Sequence, residues 1–393
     1  MRKILFVIDS LNSGGAEKSL ISLLSILNFK KFKVDLLMFK PEGLYLPLLP
    51  KDVNVLSPSE IYSSQARGIK TLIKGGNFKE LFIKIKTSVF LRNPYFKKKY
   101  HTSQISWKSH SKSIFQIDQR YDVAIAYSQG IPTYFVAEKV KADKKVCWIN
   151  TDYKVAKYNK KFDEKYYVQY ENIVAVSDIN KKVFTDEMPA LKGKTCVIYD
   201  ILSPNLIKTM ALEEGGFQDN FDGLRILTIG RLVDLKGFDL AIEASYRLKK
   251  QGYNFKWYVI GEGSLKSKLN KMVKEFNLED TFIFLGTYQN PYVFLKQCDI
   301  YVQPSRFEGF GLAIAEARIL EKPIVATNFT VVHNQLVDGE NGLIVNMNSE
   351  DISNGIINII EDKCLRNKLY LRLKCESVGT ENEILKVYSL IES

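Results

Sequence analysis

The strongest constraint on this chain is a rhythm that starts twice. Short apolar runs each close on a polar or glycine-bearing turn, and a helical stretch follows. Lys3 to Asp9 reads as a strand, Ala16 to Leu27 as a helix after a glycine turn, and Phe32 to Phe39 as a second strand. Asp122 to Tyr127, Lys145 to Ile149, Ile173 to Val176 and Thr195 to Tyr199 continue the series. The polar, glycine-containing stretch Glu213 to Gly223 then interrupts it. Leu224 to Ile229 restarts it as a strand and Phe238 to Gln251 follows as a helix. Phe255 to Ile260, Thr281 to Leu285, Ile300 to Gln303, Pro323 to Ala326 and Gly342 to Val345 are the further strands. Strands joined by helical connections form parallel sheets covered on both faces.

The rhythm gives an α/β fold of two doubly wound, Rossmann-like domains. At 393 residues the chain is long enough for two cores. The expected division is a first domain over 1–200, a linker over 201–223 and a second domain over 224–375. The closing segment 376–393 carries the apolar helix Ile384 to Ile391, expected to pack back towards the first domain.

Charge is very unevenly placed. The formal net charge is +12. From Arg67 to Lys112 there are twelve Lys and Arg against Glu80 alone, so 12 − 1 = +11 falls in one segment. Ile69, Leu72, Phe78, Phe82, Ile85, Val89, Tyr95 and Phe96 interleave with those cations. Two readings stand side by side: basic amphipathic helices on an anionic bilayer, or helices that dock one face on the sheet and solvate the other.

The five cysteines are scattered with no CxxC pair, which suits reduced, packed thiols in a cytosol. The three histidines lack metal-ligand spacing, and no HExxH or DxD string occurs, so no metal is expected. Ile4 to Ile8 is too short for a signal-peptide core, and no run approaches a membrane span. The chain is expected to be neither exported nor integral.

The most informative local string is Pro304-Ser-Arg-Phe-Glu-Gly-Phe-Gly-Leu-Ala-Ile-Ala-Glu316. It leaves a strand through a glycine-bearing turn and enters a helix, the place where ligands bind in an open α/β sheet. Gly309 and Gly311 allow close backbone approach, and the helix start near Leu312 offers free amides to an anion. Glu308 sits in the turn, with Glu316 about two helical turns further on and on nearly the same side. Two carboxylates beside an anion site suit a polyhydroxylated ligand carrying a phosphate.

Gly230-Arg-Leu232, Lys236-Gly237, Gly261-Glu-Gly263, Leu285-Gly286, Pro304-Ser305, the Glu308…Glu316 pair and Asp338-Gly-Glu-Asn-Gly-Leu343 occur in one order. In that order they resemble the retaining GT-B glycosyltransferases, the group that includes glycosyltransferase family 4 (glycosyl transferases group 1). Gly14-Gly-Ala-Glu17 looks like the family's amino-terminal glycine loop, while 57–119 matches no family motif.

The resemblance implies that the two domains face a central cleft, in an enzyme of hexosyltransferase type, metal-independent and retaining. Its donor would be a nucleotide-sugar, commonly a UDP-sugar, which is a substrate rather than a cofactor. Arg231 and Lys236 would clamp the departing diphosphate, helped by the amides at Gly311-Leu312. Glu308 would bond sugar hydroxyls and Glu316 the ribose. Gly309 and Phe310 complete the donor turn, and Gly286 to Asn290 would lie near the base. Gly14 and Gly15 would face donor phosphate or acceptor across the cleft.

Many members carry an acceptor-side histidine where this chain has Asn150, in Trp148-Ile-Asn-Thr-Asp-Tyr153. An amide orients a substrate but is no general base. Asp152 is the fallback base. Ser177, in Val174-Ala-Val-Ser-Asp178, resembles a family turn at the cleft, which N-capping of the next helix explains equally, and His333 reads as a surface-loop or packed histidine rather than a catalytic one.

The charge placement adds a lipid-linked or polymeric glycan acceptor and an anionic membrane surface met through 67–112, with no nucleic acid as partner. Such a protein would be cytoplasmic and peripheral on the inner face of the plasma membrane, in bacterial surface-polysaccharide assembly. The competing readings are a sugar-nucleotide epimerase of the same architecture and a non-catalytic membrane- or polyanion-binding protein, nucleic acid included.

Overall fold

A computed structural model describes residues 1–12, 14–57, 78–376 and 378–393. The chain divides into two compact units, Met1–Asp200 together with Asn382–Ser393, and Ile201–Glu381.

The first unit is built on seven parallel strands: β1 Arg2–Ile8, β2 Phe32–Met38, β3 Val53–Leu56, β4 Ile117–Ala126, β5 Val140–Ile149, β6 Asn172–Ala175 and β7 Thr195–Val197. Their order is β3-β2-β1-β4-β5-β6-β7. The chain steps outward from β1, then returns to lay β4 on its other side, so the direction of winding reverses between β1 and β4. Ile4 to Ile8 are buried on both faces, as a central parallel strand requires. Trp107, Tyr134, Tyr153, Tyr167 and Phe184 fill one side of the sheet.

The second unit repeats the plan with six parallel strands: β8 Leu224–Ile229, β9 Phe255–Ile260, β10 Phe282–Gly286, β11 Ile300–Gln303, β12 Ile324–Thr327 and β13 Leu343–Val345. Their order is β10-β9-β8-β11-β12-β13, and the reversal lies between β8 and β11. Phe238, Ile242, Trp257, Val302 and Ile356 lie in one buried cluster between strands and helices.

Four expectations need correction. The stretch 201–223 is part of the second unit rather than a free-standing linker. It contains the helix Pro204–Met210, the Phe217 ring packs 4.3 Å from Tyr258, and Asp219 accepts hydrogen bonds from Arg225 and Lys256. One aromatic and one carboxylate anchor what its glycines suggested would be loose. The second correction is at the other end, where the change of unit falls at Asn382 rather than 376. There the helix Glu383–Glu392 packs on the first unit: Tyr388 lies 5.7 Å from Phe32, and Glu383 accepts from the Tyr199 amide. Third, Cys364 and Cys375 are exposed, so only Cys147 and Cys298 are fully packed thiols. Fourth, β3 is an additional strand that the apolar rhythm does not mark. Of the basic segment 67–112, residues 67–77 lie outside the described residues.

Candidate functional site

The winding reversal in the second sheet brings two turns together, the one leaving β8 and the one leaving β11. Their contact is set by Gly237, which has φ +63°. A Cβ there would stand 1.9 Å from the Pro304 carbonyl oxygen, so only glycine lets the turns approach this closely. Arg306 ties them from the other side. Its guanidinium grips Asp239 at 2.8 and 2.6 Å, and its amide donates to the Leu235 carbonyl at 2.8 Å.

This contact joins Lys236 and Glu308. The Lys236 ammonium donates to both carboxylate oxygens, 2.6 and 2.7 Å away, and both side chains are largely buried. Gln303 Nε2 and Ser305 Oγ add hydrogen bonds to Glu308 Oε1 at 2.8 and 2.7 Å. Three donors on one oxygen fix the carboxylate firmly. Gln303 and Ser305 were not among the sequence-level site residues. A polar residue closing an otherwise apolar strand, as Gln303 closes β11, was the available signal.

Beyond Glu308, Gly309 lies in the turn and Phe310 is buried with its carbonyl accepting from Gln335. Gly311 takes φ +86° and begins the helix Leu312–Ile319, which no side chain caps. Its first amides are therefore open to an anion. Glu316 is buried in this helix and accepts from the Tyr292 hydroxyl at 3.2 Å. It lies only about one helical turn past Leu312, because Glu308 to Gly311 is not helical. The spacing of about two helical turns is corrected accordingly. Arg231 is exposed after β8, and its guanidinium has no ion pair among the described residues. Asn290, in the segment expected near the base, donates instead to the Met210 carbonyl and Glu213.

The β1/β4 reversal of the first unit presents a different set. Gly14 precedes the helix Gly15–Ile26, whose Gly14 cap supplies no side chain. The Glu17 carboxylate folds back over Gly14, within 2.2 Å of where a Cβ would stand, and so lies at the helix start. Asp9 follows β1 and remains reachable by water. Surrounding protein, then the Glu17 charge, push its carboxyl up to about 7, against the pull of Lys40. Deeper in, Ser19 and Tyr127 hydroxyls meet at 2.9 Å, and burial pushes the Asp200 carboxyl up to about 7.

Asn150, at the end of β5, donates through Nδ2 to the Tyr127 carbonyl at 2.7 Å. Its Oδ1 and Gln129 Nε2 are buried and have no partner among the described residues. Asp152 Oδ1 accepts from the Lys154 and Val155 amides at 2.7 and 2.9 Å, so this oxygen shapes a turn. Ser177 caps the helix Asp178–Glu187, and His333 bonds Asn328. Asp9 is a further residue that sequence reasoning passed over, since its raised value depends on neighbours that only the fold brings together.

Residues 217–374 match the family model described as Glycosyl transferases group 1. Over its whole length the chain is similar to a Campylobacter jejuni protein, the N-acetylgalactosamine-N,N'-diacetylbacillosaminyl-diphospho-undecaprenol 4-alpha-N-acetylgalactosaminyltransferase. The two are 27% identical over 393 residues, 98% of this chain and 99% of the relative. Among solved structures, Anabaena HepE in complex with UDP and glucose gives a TM-score of 0.70 at 17% identity, covering 100% of both chains. A Staphylococcus aureus TarM mutant, solved with fondaparinux, alpha-GlcNAc-glycerol and UDP, gives 0.69 at 17% identity over 100% of both. These likenesses show the fold, two Rossmann-like α/β domains of the GT-B type.

Proposed function

We propose that this protein is a retaining glycosyltransferase of family 4 that moves a sugar from a UDP-sugar to a lipid-linked or polymeric glycan acceptor. The observation that carries the reading is the Lys236–Glu308 pair beside the uncapped helix at Gly311, at the reversal point of the second sheet. A diphosphate needs cations and amides, and a sugar ring needs a fixed acceptor for its hydroxyls. Lys236, Arg231 and the amides of Gly311 and Leu312 supply the first, and Glu308 supplies the second.

In the reaction, the bond between the anomeric carbon and the diphosphate oxygen breaks as negative charge grows on the leaving group. Lys236 and Arg231 stabilise that charge more in the transition state than in the ground state, which is what accelerates the step. The acceptor hydroxyl attacks the same face, its oxygen bonds to the anomeric carbon, and its proton passes to the leaving phosphate. That route needs no protein base, so Asn150 serves by orienting the acceptor. Two protein cations at the leaving group also support transfer without a metal.

The Campylobacter relative, whose name gives a diphospho-undecaprenol acceptor, supports the lipid-linked acceptor, and a Staphylococcus aureus capsular polysaccharide biosynthesis glycosyltransferase, 25% identical over 206 residues, supports a role in bacterial surface-polysaccharide assembly. HepE, solved with UDP, supports the donor nucleotide. The basic segment supports an address on the cytoplasmic face of the membrane.

The test is a donor screen. UDP-, GDP- and ADP-sugars are tried by thermal shift and by nucleotide release, with wild type beside Glu308→Ala and Lys236→Ala. Stabilisation by a UDP-sugar that both substitutions weaken supports the reading. No response to any nucleotide-sugar sinks it.

A further inference from the structure

The helix Phe78–Arg92 carries an apolar stripe that faces water. Phe78 is 70% exposed, Phe82 67%, Ile85 51% and Val89 55%, at steps of four, three and four residues. That spacing puts all four on one line along the helix. Thr87, two residues from both Ile85 and Val89, points the opposite way and is 5% exposed. Its hydroxyl lies 3.5 Å from the His110 ring, where this helix packs on its neighbour Thr102–His110. The inner face is thus already used for docking on the protein, and the outer stripe has no covering partner among the described residues.

Cations border the stripe. Lys86 follows Phe82 by four residues and Arg92 follows Val89 by three, and both are exposed. The next helix, Pro94–Lys99, adds exposed Tyr95, Lys98 and Lys99, and its Phe96 ring stacks on Phe90 at 4.5 Å. An apolar line flanked by long cations matches an anionic lipid surface: side chains enter the acyl boundary while the charged heads meet phosphate groups. A second copy of the chain would bring like charges together. A nucleic acid would leave Ile85 and Val89 without stacking partners.

The pair of helices is anchored beside the carboxyl end of the first sheet. Gln104 donates to the Asn159 carbonyl at 3.1 Å and to Asp163 at 2.6 Å, and accepts from the Asn159 amide at 3.0 Å. Asp163 is buried and also takes the Tyr134 and Tyr153 hydroxyls, at 2.6 and 2.7 Å. The helix Thr102–His110, on which the stripe-bearing helix packs, is thus tied to the segment that begins at Asn159, nine residues along the chain from Asn150.

We propose that Phe78, Phe82, Ile85 and Val89 insert into the headgroup boundary of an anionic bilayer, so that attachment is apolar as well as electrostatic. The use of this attachment rests on the lipid-linked acceptor proposed above, whereas its chemistry stands apart from it.

The experiment is flotation of the full chain with vesicles of phosphatidylcholine alone and with about 30% phosphatidylglycerol, at low salt and at about 0.5 M salt. Wild type should float with the anionic vesicles and keep part of its binding at high salt. Phe82→Ser/Ile85→Ser should lower partition about tenfold or more and lose the salt-resistant part. Lys86→Glu/Arg92→Glu should lose most low-salt binding.

Circular dichroism and UDP-sugar affinity, unchanged in both variants, would show the fold and the donor site intact. Failure of this surface is then distinct from failure of the donor reading. The proposal is overturned if wild type floats with neither vesicle or if the apolar variant binds like wild type. A dimer that the apolar variant dissolves, or RNA binding without vesicle binding, overturns it as well.

Discussion

The two sheets reverse their winding in the same way, at β1/β4 in one unit and at β8/β11 in the other, but the residues at the two points differ in kind. At β8/β11 the turn contact is built on paired charges, Lys236 on Glu308 and Arg306 on Asp239, with Arg231 exposed after β8 and the helix at Gly311 uncapped. At β1/β4 the acids Asp9 and Asp200 are pushed towards neutrality, and buried amide atoms of Gln129 and Asn150 have no partner among the described residues. The first arrangement suits a ligand with fixed negative charge. The second suits neutral hydroxyls, which donate to and accept from amides. One topology carries two different sets of side chains because the turns, rather than the strands, hold them.

The sharpest way to break the contrast is Lys236→Ala. It should lower kcat/KM about a hundredfold to a thousandfold by removing charge stabilisation at the leaving group, measured by steady-state nucleotide release. A loss under about fivefold would remove Lys236 from the chemistry. Next is Gly237→Ala, whose methyl would meet the Pro304 carbonyl. It should cost about 2 kcal/mol or more and shift the urea midpoint downward. An unchanged midpoint would show that the two turns are not packed as described.

On the other side of the comparison, Asn150→Ala should raise the acceptor KM about tenfold while leaving donor affinity alone. Equal damage to both would make Asn150 a structural residue.

The smallest effect is Asp200→Asn. The folded carboxyl is raised from 3.8 to about 7, so its contribution to stability is complete below about pH 4 and is lost as pH rises through about 7. The amide variant should therefore melt a few degrees above wild type at pH 8, with the gap closing by about pH 4. A gap independent of pH would contradict the raised value.

Much of the fold was legible because central parallel strands are continuous apolar runs. The ranges read for Leu224 to Ile229, Phe255 to Ile260 and Ile300 to Gln303 coincide with β8, β9 and β11. The runs broke down at the margins. β3 lies at the edge of its sheet and exposes Asn54 and Val55, so it shows no buried run. The leading residues of β4 and β5 pair only with each other, beyond the reach of β1 and β6, and so tolerate Arg120, Lys141 and Lys144.

At the site, the residue types were legible and their partners were not. Lys236 and Glu308 are 72 positions apart, and nothing local announces that they bond. That follows only once the strand order brings β8 beside β11 and Gly237 lets the turns touch. Asp9 was illegible for a related reason, since its environment is assembled from Glu17, Lys40 and Ser128.

The Lys236–Glu308 pair has a consequence for selectivity. Each member is the other's counter-ion, and both oxygens of the carboxylate accept from Lys236. A bare diphosphate that drew Lys236 away would leave the largely buried carboxylate with Gln303 and Ser305 but no counter-ion, and a neutral sugar that displaced Lys236 from Glu308 would leave the cation without one. Only a molecule offering phosphate charge and hydroxyl donors together can replace both halves of the bond it breaks. On the donor role proposed for Lys236 and Glu308, the pair would work as a coincidence detector: pyrophosphate and free hexose, each supplied alone, should bind far more weakly than the joined molecule, a difference that calorimetry can read directly.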